Sequence, residues 1–232
     1  MFGTKLNYES HFFVKGLGGL ELSGVESIDI GYQNSSNITK PLGYQNGVTT
    51  IGGPTSQEVS LSRNLLFSDP LLAYTGANHI VSGSFNYDNN ASYGFNSGYL
   101  TSYSVNCAVG SIPKINTSLI VYDELRSGVN ASGTARQSIF IPSQGSITAT
   151  CDNTTTNRVI GFDYALEVAR KPYYTIGSET PIEVKYIPPI KYSASVQIEV
   201  DDVFLESGYS FLTTGKEEKT VSFVINGRDG TS

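Results

Sequence analysis

The chain has 232 residues, of which 16% are charged and 39% hydrophobic, with 24 Gly, 15 Tyr and no Trp. That charged share is well below the roughly 25% of ordinary soluble domains, and Ser, Thr, Asn, Gly and Tyr fill the gap. A net charge of −6 argues against binding nucleic acid through its phosphates, which draws on clustered Lys and Arg.

Taken in chain order, residues Met1 to Ser10 lack the apolar core of a signal peptide and read as an N-terminal arm carrying Tyr8. Gly16-Leu17-Gly18-Gly19 reads as a hairpin turn rather than a dinucleotide loop, because the third glycine and following helix are absent. Ser27 to Tyr32 alternates with period two and predicts a strand. The stretch from Gly31 to Gly53 reads as a long loop whose β-formers, with Tyr32 and Tyr44, suit pairing with a neighbouring copy. Glu58 to Leu61 returns to alternation. Ser62 to Tyr74 is the one segment that looks locally helical. Its Leu65, Leu66 and Leu72 could cover one end of a sheet, though Pro70 favours two short turns over one helix.

Further on, Ile80 to Tyr87 is a strand. Asn86-Tyr87-Asp88-Asn89-Asn90 places oxygen ligands at alternate positions, but Ala91 and Ser97 stand where a calcium loop needs Gly and Glu, so a tight hairpin is expected. Thr117 to Tyr122, Ser195 to Val200 and Thr220 to Ile225 complete the strand series. Strands recurring every ten or so residues point to a sandwich or barrel.

The chain also resembles itself. Phe12-Phe13-Val14, Gly18, Leu20 and Leu22 are echoed 127 residues later by Ile139-Phe140-Ile141, Gly145, Ile147 and Ala149. After a polar insert at Asp152 to Arg158 the offset becomes 134. Val25, Ile28, Asp29 and Ile30 then fall on Val159, Phe162, Asp163 and Tyr164, Leu42-Gly43 on Ile176-Gly177, and Pro54 on Pro188. Val59 to Leu61 faces Ala194 to Val196, one residue out of step. The fold expected is all-β: two tandem copies of a β-sandwich or half-barrel unit, with at most one or two short helices. The division is an arm at 1–10, a first unit at 11–128 and a shorter second unit at 129–232.

Catalytic chemistry is not foreseen. His11 and His79 have no Cys or carboxylate at ligand spacing, so neither a zinc site nor a Ser-His-Asp arrangement is built. The doublets Asp201-Asp202 and Glu217-Glu218 read as exposed strand ends. No catalytic, metal or cofactor residue is assigned, and the chain is read as a non-enzyme. Cys107 and Cys151, far apart, point to synthesis in a reducing cytosol, and the six Asn-x-Ser/Thr triplets to chance in so polar a chain. No apolar run approaches the ~18 residues of a membrane helix. What remains is self-assembly by strand addition at open sheet edges, with Tyr8, Tyr32, Tyr44, Leu65 and Phe67 as candidate assembly contacts.

Leu22 to Ile28, Ser68-Asp69-Pro70-Leu71-Leu72, Gly98 to Ser104 and Val109-Gly110-Ser111-Ile112-Pro113 resemble segments of tailed-bacteriophage virion proteins, most of all tail tube proteins. The resemblance covers much of the first unit and the strand rhythm of the second. It implies a β-sandwich or half-open barrel that assembles into stacked rings of three or six chains around a DNA channel. The partners implied are further copies, other virion proteins, and genomic DNA that passes without specific binding; the location implied is the virion, after synthesis in the host cytoplasm. A capsid decoration protein and a baseplate or distal tail ring are alternatives of the same class. A carbohydrate-binding module is a more distant one, motivated by abundant Tyr and Asn.

Overall fold

Period-two runs become strands almost wherever they occur in the computed structural model, which describes residues 11–14, 20–22, 24–39, 42, 49–65, 69, 71, 80–88, 91–123, 125–127, 142–151, 154–199 and 221–227. The described strands are β1 (His11–Val14), β2 (Leu20–Leu22), β3 (Val25–Thr39), β4 (Thr49–Asn64), β5 (Val81–Asp88), β6 (Ala91–Ala108) and β7 (Lys114–Val121). They continue with β8 (Arg126–Ser127), β9 (Pro142–Cys151), β10 (Thr154–Thr156), β11 (Val159–Tyr173), β12 (Glu183–Ile198) and β13 (Val221–Gly227). Among the described residues there is no α-helix, only a 3₁₀ position at Leu71. The protein is all-β, with a sandwich of antiparallel sheets.

Six strands lie side by side in the order β3-β4-β7-β6-β11-β12, every neighbour antiparallel. The long β6 then leaves this array. Its first half, Ala91 to Gly98, pairs with β5, which carries β1 and β2 beyond it. Gly98 sits where the two halves meet, and a Cβ there would lie 2.6 Å from Cε2 of Phe95 and 3.1 Å from the Val81 carbonyl oxygen. Only glycine admits that approach. The β2-β1-β5 side folds over one face of the six strands, so that Leu22, Val81 and Phe95 share a cluster with Val59, Leu119 and Leu166. Each such side chain contributes about 1.5–3 kcal/mol by leaving water. A separate sheet, β10-β9-β13, sets Ile147 and Ala149 against Cys107, Val159 and Phe162, with the Phe162 and Phe223 rings 4.5 Å apart.

Two expectations are corrected. Ser62, Arg63 and Asn64 are not helical but form the end of β4, opposite Asn116, Ile115 and Lys114. The alternation of Val59, Leu61 and Arg63 into the core outweighs the local leucine spacing. Within the expected loop 31–53, residues 31–39 and 49–53 are strand instead, because Gly31 to Thr39 pairs with Thr49 to Glu58 of the same chain. A local hairpin closes at far lower entropy cost than a contact between chains.

β1 pairs antiparallel with β2, and β5 with β6, where Asp88 stands opposite Ala91; the expected turns themselves, 15–19 and 89–90, lie outside the described residues. Part of the polar insert becomes β10, folded back on Ala149 to Cys151. The large sheet draws strands from both sides of residue 128, since β11 pairs with β6. β3 and β11 are each 15 residues long, β4 and β12 each 16, and all four boundaries lie 134 positions apart. Ile28 pairs with Leu61 and Phe162 with Val196, so the one-residue step seen in the sequence is present in the ladder. Both hairpins are irregular at the same point, Val25/Ser27 and Val159/Gly161.

A polar open sheet face as the candidate functional site

The site follows from which face of the six strands is covered. Along β7, Ile115, Thr117, Leu119 and Val121 are buried, while Lys114, Asn116, Ser118 and Ile120 point the other way. On that second face the ladder aligns Ser27, Ser62, Asn116, Ser104, Ala165 and Ser193 across β3, β4, β7, β6, β11 and β12. The next row is Asp29, Ser60, Ser118, Ser102, Glu167 and Lys191. All of these positions are exposed or half-buried. Short hydroxyl and amide side chains therefore line a shallow surface six strands wide, with no large apolar group in either row.

The hydrogen bonds on this face stay within it. The Ser60 and Ser118 hydroxyls are 3.1 Å apart. Asp163 accepts from the Asn106 amide and from the Ser195 hydroxyl, the latter at 3.2 Å. Its charge is acidic: Asp29, Glu58, Asp163 and Glu167 face Lys114 and Lys191. Lys114 donates to Glu26 at 2.8 Å, which holds that carboxyl below its usual range, and Lys191 lies 3.8 Å from Glu167. The excess of carboxylates gives a field that repels phosphate.

Of the five candidate contacts, the two that are described, Tyr32 and Leu65, do not lie on this face. Tyr8, Tyr44 and Phe67 lie outside the described residues. Tyr32 stands opposite Gln57 on the other face of the β3 margin, 60% exposed. It helps line a cleft of about 270 Å³ with Gly31, Gln57, Glu58, Thr101 and Ile120. Leu65 packs against the main core, and its N–H donates to the Pro113 carbonyl at 2.9 Å, so its side chain serves the fold. The serine rows were missed, yet their signal is plain: Ser60-Leu61-Ser62, Ser102-Tyr103-Ser104 and Ser193-Ala194-Ser195 repeat one Ser-x-Ser pattern. Alternating serines on strands mark a polar face as surely as alternating leucines mark a core.

Among the described residues there is no group of three or more His, Cys, Asp or Glu that could hold a metal ion, and no helix long and apolar enough to cross a membrane. Cys107 is a buried free thiol, pushed up in pKa by burial and then by the Asp163 charge. No protein-family model matches the chain, and no curated protein matches it. Fold and face define the class: an all-β sandwich with one broad polar sheet surface.

Proposed function

We propose that this protein is a structural subunit that joins copies edge to edge into a closed ring, the serine-rich face turned toward the channel, and that the assembly is a bacteriophage tail tube. The observation that carries the proposal is the pair of sheet margins. β3 and β12 are both long, pair only with β4 and β11 among the described residues, and run in opposite directions. A copy related by rotation can therefore set its β3 beside β12 with antiparallel pairing, satisfying the open amides and carbonyls of both. The equal lengths of the two hairpins and their common spacing of 134 residues support a tandem duplication, hence a ring with twice as many repeats as chains.

Strand spacing favours three chains. Eighteen strands at about 4.8 Å each, tilted by about 40°, close at a backbone diameter of about 36 Å. Short side chains inside leave room for a duplex about 20 Å wide, whose phosphates the acidic face repels. Six chains would give about 72 Å, far wider than DNA needs.

Negative-stain microscopy with native mass spectrometry of the purified chain tests the reading. Threefold rings with a central channel, extending into hollow fibres, are expected. A discrete trimer without a channel would favour a capsid decoration protein, and selective glycan capture a carbohydrate-binding module. A monomer at tens of micromolar would end the proposal.

A further inference from the structure

At the end of the six-stranded array where β3 begins, a lysine, an asparagine and a glutamate meet. Lys114 on β7 and Asn64 on β4 stand directly opposite each other in the ladder. Such pairs hold their Cβ atoms about 4.5–5.5 Å apart, within reach of a lysine side chain. Glu26 is the extra residue of the irregularity between Val25 and Ser27, and a bulge of this kind re-aims a side chain. Its carboxylate accepts from the Lys114 ammonium at 2.8 Å and from the Asn64 side-chain amide. The backbone is pinned on both sides of the asparagine. The Asn64 N–H donates to the Gly24 carbonyl and the Leu65 N–H to the Pro113 carbonyl, each at 2.9 Å.

A surface ion pair would account for the lysine and the glutamate. It does not account for Asn64, whose Oδ1 is buried with no hydrogen-bond partner among the described residues. An orphaned buried group of this kind marks strain or chemistry. Nor does the repeat dictate the set, since Ile160 occupies the equivalent bulge of the second hairpin. On its other side Lys114 faces Asn106 of β6, but that amide is held by Asp163 of β11. An amine, a carboxylate base touching it and an amide on the same carboxylate are the parts of an acyl transfer. We propose that Lys114 and Asn64 join in an intramolecular isopeptide bond, with Glu26 as proton carrier, clamping β4 to β7. The Nζ–Cγ bond forms as the Cγ–Nδ2 bond breaks. Two protons pass in turn from the lysine nitrogen through Glu26 to Nδ2, which departs as ammonium. Atoms and charge balance with no oxidant or co-reactant. Lys114 and Glu26 are 54% and 43% exposed, which leaves the ammonium a way out. The clamp needs no second copy and stands apart from the ring reading.

Intact-mass spectrometry of the purified full chain is the test. The mass should be short by one ammonia, and digestion should release a branched peptide joining Lys114 to Asn64. Chain still unlinked at purification should close at a rate that rises about tenfold per pH unit between about pH 7 and 9, as the share of neutral lysine grows. Lys114→Arg keeps the ion pair but cannot form the bond, so it should show the full mass and unfold at lower urea. Glu26→Gln keeps the shape but carries no proton, and should close at least a hundredfold more slowly. Full mass in the intact chain after days at about pH 9 would overturn the assignment, because lysine is then deprotonated often enough to react. So would a mass deficit that persists in Lys114→Arg, which would mean that Asn64 had cyclised on its own backbone, or a link to Asn106 in its place.

Discussion

Arg63 is wholly enclosed, and its charge is met by Asp69, which also accepts from the Tyr103 hydroxyl at 2.7 Å and from the Leu71 N–H at 2.9 Å. One carboxylate thus ties the end of β4, the middle of β6 and the turn at Leu71 together. Breaking a buried pair from one side leaves an uncompensated charge, so Asp69→Asn should cost about 3–5 kcal/mol in urea unfolding. Burial, followed by the Asp69 charge, pushes the Tyr103 phenol well above its usual range, and burial pushes Tyr122 up to about 12. In the unfolded chain these phenols ionise near 10.0, so above that pH only the unfolded state sheds their protons. The contribution of these two phenols to stability should be level below pH 10 and fall as pH rises past it, by about 1.4 kcal/mol per pH unit for Tyr103. Tyr103→Phe should be less stable at neutral pH yet show a shallower alkaline decline in the same unfolding assay.

At the level of strands, open edges decide the chemistry. Successive residues of an antiparallel strand direct their N–H groups to opposite sides. Of Ser193 and Ala194 on β12, one donates toward β11 and the other outward. Proline at the outward position should leave the circular dichroism unchanged and abolish rings, whereas proline at the inward position should lower the melting temperature. Sequence patterning revealed the strands well, because alternation reports which face is covered: Glu58 to Leu61 and Thr117 to Val121 lie where expected. It failed at 31–53, where Gly and Asn punctuate stretches, 31–39 and 49–53, that are nonetheless paired strand. It also failed at Ser62 to Asn64, since leucine spacing cannot tell a helix from the end of a strand held by β7. The Ser-x-Ser pattern marks a polar face on each strand, but that these faces line up in rows six strands wide follows only from the register, which is a property of the ladder.

For the molecule as a whole, the sign of the open face makes a direct prediction. Rings carrying Asp29→Lys, Glu58→Lys and Glu167→Lys should retain duplex DNA at low salt and release it steeply as salt rises, while unaltered rings should not retain it. A filter-binding titration across ionic strength reads this out. If both rings ignore DNA at every salt concentration, the face does not line the channel. The alternating direction of the six strands carries one more consequence. Gain or loss of a single strand at either margin would place like-directed strands together wherever two copies meet, whereas a whole hairpin can come or go without disturbing that junction. Under the proposed edge-to-edge joining, growth of the sheet would be bound by a parity rule, its length changing by whole hairpins.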